Sequence, residues 1–214
     1  KNGGRILIAI DPGYRHGLAN LTKSFGIEFK NNYVMTETLQ QIGVATVGAE
    51  YNPESEATRR FGLGTLTLFL EASQLSREPT AEPAQNTREL VVTEGQAVLL
   101  NDLSRGPVPE SAGGHAIVMD STLDPGGGYV VVAGDSDFLK DRGIAQMANR
   151  DLDLNLFAAV GRKAELAGIR PKQPRGASLI LTTYGRYTVV IAGIALPILL
   201  LLASGILWYR RKNL

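Results

Sequence analysis

The sequence predicts an α/β domain in three layers with a largely parallel sheet, followed by one C-terminal transmembrane helix. Three observations predict it. β-Branched apolar runs such as "RILIAID" and "YVVVAGDSD" end abruptly in Gly or acidic residues. Such runs lack polar alternation, which marks strands buried on both faces, as parallel strands are. Helix-spaced stretches alternate with them, the order that builds parallel sheets. Finally, residues 187–209, "YTVVIAGIALPILLLLASGILWY", carry no charge.

In chain order, "GGRILIAIDPG" reads as a buried strand from Arg5 to Ile10 entering a Gly- and Pro-rich turn, "DPGYRHG". "LANLTKSFG" spaces Leu18, Leu21 and Phe25 as the inner face of a helix, with Gly26 as its C-cap. "NNYVMTET" reads as a short strand, completing a βαβ unit. Gly43 to Tyr51 is a weaker apolar stretch, and "NPESEATRRFG" is polar with room for a short helix. Leu66 to Leu75 fits strand or helix by period alone. Ser76 to Arg88 reads as a loop. "ELVVTEG" and "HAIVMDS" read as strands separated by the loop "SRGPVPESAGG". "LDPGGG" turns the chain into "YVVVAGD". Arg150 to Ala167 reads as a helix with Leu154, Phe157, Ala158 and Leu166 inside. "GIRPKQPRG" breaks helix and reads as a linker. The expected organisation is therefore a domain over 1–168, a linker over 169–186, a transmembrane helix over 187–209 and a basic tip over 210–214.

About 23 uncharged residues at about 1.5 Å each span roughly 35 Å, enough for a hydrocarbon core. Tyr187, Trp208 and Tyr209 stand where an aromatic belt stands, and Arg210, Arg211 and Lys212 follow at once. This predicts a single-pass membrane anchor in contact with lipid. The basic tip is then cytoplasmic and the domain extracytoplasmic. A buried strand so near Lys1 predicts that strands from elsewhere, another segment or another chain, flank it.

Composition narrows the chemistry. The 214 residues hold 22 Lys+Arg against 21 Asp+Glu, a net charge of +1, which asks for no nucleic acid. There is no Cys, which excludes thiol catalysis and thiolate-bound metal. With only His16 and His115, a His-rich metal site is excluded as well. No Walker sequence is present, so ATP hydrolysis by this chain is not expected. The acids Asp11, Asp135 and Asp137 close strands, where α/β proteins collect their ligands. Two uses fit them. One is a hard-cation site serving a hydrolase, with Asp135 and Asp137 as ligands. The other is structural: Asp135 and Ser136 cap the following helix, and Arg150 pairs with Asp135 or Asp137. Ser136 lacks the flanking glycines of a nucleophile elbow, since Phe138 stands where Gly is needed. His115, entering a strand after Gly113 and Gly114, reads as a packed side chain.

In order along the chain, "GGRILIAIDPG", "GLANLTKSFGIEF", "VVVAGDSDF", "NRDLDLNLF" and "IRPK" precede the apolar segment and basic tip. Together they resemble the ABC-transporter auxiliary proteins of the gliding-motility GldG type, over the later half of such a protein. Gly134 to Phe138 match that family's signature after the last strand. Asn149, Arg150, Asp151 and Asn155 match the opening of its helix, and Ile169 to Lys172 match its pre-membrane linker. The resemblance implies a fold similar to the class I glutamine-amidotransferase-like α/β fold. It also implies a non-enzymatic accessory subunit without a cofactor, held in a bacterial inner membrane and partnered by an ABC permease and ATPase. The family's N-terminal part and first membrane helix have no counterpart in this sequence. The site expected on this reading is a binding or structural cluster of Asp11, Asp135, Ser136, Asp137, Asn149 and Arg150.

Overall fold

A computed structural model of the chain describes residues 3–13, 17–36, 39, 43–79, 85–123, 127–161, 197, 204–206, 208 and 211. The chain divides into two compact units, Lys1–Arg170 and Pro171–Leu214, and every described strand lies in the first.

Ten strands and three short helices are described in that unit: β1 (Arg5–Ala9), α1 (Leu18–Lys23), β2 (Ile27–Phe29), β3 (Tyr33–Thr36), β4 (Ala45–Tyr51), β5 (Thr67–Leu70), β6 (Leu75–Arg77), β7 (Gln85–Thr93), β8 (Ala97–Leu100), β9 (Ala116–Leu123), β10 (Gly128–Ala133), α2 (Asp141–Ile144) and α3 (Asn149–Val160). A 3-10 turn, Asp137–Leu139, links β10 to α2. The main sheet has the order β1-β10-β9-β7-β4-β5, while β2 pairs with β6 and β3 with β8 in two small sheets.

This corrects the expected fold class. In the main sheet only β1 and β10 run parallel; every other pairing is antiparallel. The fold is strand-rich with few helices, not a helix-flanked parallel α/β sandwich. The expected βαβ unit does not form, because its two strands, β1 and β3, belong to different sheets. The physical reason lies in what a continuous apolar run encodes. All six residues of β10 are buried and so are seven of the eight in β9, since both faces of the sheet are covered. On one face Val118, Val131 and Phe69 pack with Phe138 and with Leu152, Leu156 and Ala159 of α3. On the other, Ile8, Met119, Val130 and Val132 pack with Ile27, Phe29 and Leu75 of the β2–β6 pair. Burial on two faces produces the same sequence signature whichever way the neighbours run.

Local readings are corrected too. Leu66 to Leu75 resolves into β5 and β6, and β7 begins at Gln85, inside the expected loop. Residues 53–60 form turns rather than a helix. The inner face of α3 is Leu152, Leu156, Ala158 and Ala159, whereas Leu154 and Phe157 are 45% and 57% exposed. Leu18 and Leu21 of α1 face outward, and Thr22 is buried instead.

Among the described residues no helix is long and apolar enough to cross a membrane. The expected transmembrane helix over 187–209 falls mostly outside the described residues, which include only Pro197, Ser204–Ile206 and Trp208 of that stretch. The single-pass anchor and the inner-membrane location are corrected accordingly, and nothing in the described structure supports the transport and gliding roles that came from the resemblance.

Candidate functional site

The site is built where β10 ends beside the edge strand β5. An edge strand leaves alternate N–H and C=O groups without a ladder partner. In β5 those groups are taken by side chains. Asn149, fully buried, accepts from Leu68 N–H through Oδ1 at 2.9 Å and donates to Leu68 C=O through Nδ2 at 2.8 Å. Its carboxamide thus replaces one residue of a missing strand. The same Nδ2 also donates to Gly143 C=O at 2.9 Å. Ala148 N–H donates to Leu66 C=O, and Leu70 N–H donates to Asp135 Oδ2 at 2.9 Å. One residue past β5, Glu71 takes a positive φ of 52°. Ser73 N–H then reaches Gly134 C=O at 2.7 Å. A Cβ at Gly134 would overlap the Ser73 carbonyl, so this approach requires glycine.

Asp135 is fully buried, and its other oxygen accepts from Asp137 N–H at 2.6 Å. Burial pushes its carboxyl up to about 7; the charges of Asp137 and Asp11 add to this, and the two amide bonds oppose it. Asp11 holds Ser136 with both oxygens, accepting its N–H at 2.5 Å and its hydroxyl at 2.6 Å. Asp137 pairs with Lys140. One oxygen from each of Asp11, Asp135 and Asp137 lies within 4.8 Å of the others, a spacing at which three carboxylates can hold a divalent cation.

Thus Asp11, Asp135, Ser136 and Asp137 are brought together, and Asn149 joins Asp135 on the β5 edge. Arg150 is exposed, and among the described residues no ion pair links it to Asp135 or Asp137. Ser136 precedes the 3-10 turn but makes no side-chain cap bond; the capping oxygen is that of Asp135. His115 is buried, with Nε2 at 2.9 Å from Ser111 C=O. His16 lies outside the described residues.

Two polar features escaped the sequence reading. Asp120, fully buried in β9, receives Arg88 Nε at 3.0 Å and Nη2 at 2.6 Å, with Tyr129 Oη at 3.0 Å. Asp153 of α3 is 2% exposed, and neither of its oxygens has a hydrogen-bond partner. The signal for Asp120 was an acid inside "AIVMDS", a run otherwise apolar up to Met119. For Asp153 it was an acid four residues after Asn149 on the buried stripe of the helix.

The site and sheet define a strand-rich domain whose polar cluster braces an edge of its main sheet, and this fold has been seen before. No protein-family model matches the chain, and no curated protein matches it. Among solved structures it is similar to the mmIFT52 N-terminal domain, with 14% identity and a TM-score of 0.57. The match covers 74% of this chain and 65% of that one. At this identity the likeness shows the fold alone.

Proposed function

We propose that this chain is a non-catalytic, partner-binding subunit of a larger assembly. The observation that carries the reading is how the acid cluster is used. Both oxygens of Asp135 are tied to backbone amides, both of Asp11 to Ser136, and Asp137 to Lys140. A catalytic acid needs an oxygen aimed at a substrate; these oxygens are aimed at the chain itself. The solved neighbour is one domain of a longer protein, which fits a fold that works as a module. The test is gentle purification of the native protein followed by cross-linking and mass spectrometry. A stable complex with defined partners is expected, and recovery of the chain alone refutes the reading. A permease and an ATPase among those partners would match the auxiliary-protein resemblance.

A second reading has one observation in its favour. The spacing of Asp11, Asp135 and Asp137 suits a divalent cation, and a cation would reverse the protonation that burial imposes on Asp135. Calorimetric titration with Mg²⁺ and Ca²⁺ decides it. The hydrolase reading requires binding that disappears in Asp135→Asn/Asp137→Asn, together with hydrolytic activity that disappears with it.

A further inference from the structure

We propose that the outer edge of β1 pairs with β1 of a second copy of this chain, related by a two-fold axis through Leu7. The two edges of the main sheet are treated differently. The β5 edge is closed by Ala148, Asn149 and Asp135. Among the described residues the β1 edge is left open. Gly4 C=O accepts from Tyr129 N–H, and Ile10 N–H donates to Ala133 C=O, so the even-numbered residues turn their backbone towards β10. Alternation then points the N–H and C=O groups of Arg5, Leu7 and Ala9 outward, and among the described residues they meet no backbone partner. Three of the usual protections are absent: β1 has no proline and no lysine, and it carries no bulge, staying in register with β10 over its whole length.

The sequence of this edge is complementary to itself. An antiparallel register centred on Leu7 sets Leu7 against Leu7 and Arg5 against Ala9 of the second copy. Every outward group of both strands then finds a partner, in about six hydrogen bonds. Shifting by two residues one way leaves Ala9 unpaired; shifting by four puts Arg5 against Arg5, which like charge opposes. The chosen register also sets Ile6 against Ile8 across the axis. Ile6 is 40% exposed in the single chain, so this contact covers apolar surface that is otherwise in water. Phe157, on the helix that packs over β1, is exposed as well. An isologous contact of this kind closes on itself and gives a dimer rather than a fibre.

This inference goes beyond the partner-binding reading, and its failure would leave the co-purification test untouched. The chain has no Cys, so a single introduced thiol reports one position. On the axis, two Leu7 Cα atoms stand about 5.5 Å apart, within disulfide range. Two Ala9 Cα atoms stand about 13 Å apart, outside it. Under mild oxidation of the full chain, Leu7→Cys is expected to form a covalent dimer and Ala9→Cys to remain single. In sedimentation, Leu7→Pro removes only an outward N–H and is expected to weaken self-association roughly tenfold or more. Ile6→Glu, which leaves every backbone bond in place, is the second variant should Leu7→Pro fail to fold. Three results overturn the proposal: a monomer across the micromolar range, equal cross-linking at both positions, or a dimer unchanged in a folded Leu7→Pro or Ile6→Glu variant.

Discussion

Replacing Asp153 by Asn should stabilise the domain at neutral pH and leave it nearly unchanged in acid. Asp153 sits on the packed side of α3 with no hydrogen-bond partner for either oxygen. Burial alone pushes its carboxyl up to about 7. The elements packed on α3 carry Arg5, Tyr129, Asp137, Asp141 and Arg142, and Arg59 and Arg60 lie in the turns before β5. None of these offsets the cost of burial. In the unfolded chain an Asp titrates at about 3.9. The folded state therefore binds the extra proton between about pH 4 and pH 7, so stability is highest below that window and falls as pH rises through it. A gap of about 3 pKa units at about 1.36 kcal/mol each gives a loss of about 4 kcal/mol by neutral pH. That is a large share of the roughly 5–15 kcal/mol that holds a domain.

The Asn amide does not titrate, so its advantage over Asp should grow by about 1.4 kcal/mol per pH unit across the window. An unpartnered amide and an unpartnered protonated carboxyl cost the same, about 1–3 kcal/mol each, so they cancel in acid and the gain at pH 8 approaches the full loss of about 4 kcal/mol. Urea denaturation followed by far-UV circular dichroism at pH 5, 6, 7 and 8 measures it. Asp135 titrates in the same direction, so the wild-type slope contains both groups and only the difference between the proteins isolates Asp153. A variant-minus-wild-type difference that is constant from pH 5 to pH 8 would refute the reasoning.

Three further outcomes are expected. Asn149→Ala removes three hydrogen bonds and leaves both polar groups of Leu68 without partners, so a loss of about 3–5 kcal/mol is expected in the same denaturation assay. Arg88→Met should cost about 3–5 kcal/mol because it strands the buried Asp120 charge; the double variant Arg88→Met/Asp120→Leu should recover most of that loss, which a double-mutant cycle measures. Gly134→Ala should lower the melting temperature sharply while Gly62→Ala does not, since a Cβ at Gly62 meets nothing within 4 Å and one at Gly134 meets the Ser73 carbonyl.

The sequence by itself determined which segments are buried and where many of them stop. β1, β3, β9 and β10 lie where apolar runs were read, because burial and β-branching are written locally. It also singled out Asp11, Asp135, Ser136, Asp137 and Asn149, since acids and amides at the ends of apolar runs are conspicuous. It did not determine direction. β9 and β10 run antiparallel through a short connection, yet they read as parallel strands because α3 covers one face of the sheet and the β2–β6 pair covers the other. Only the tertiary structure decided what the polar residues do. Asn149 and Asp135 meet β5 from 81 and 65 residues away, and no local pattern foretells that a carboxamide will complete a strand's hydrogen bonds. The inner face of α3 was misread for the same reason. Leu154 and Phe157 are as apolar as Leu152 and Leu156, and which stripe turns inward was settled by the surface it packs against.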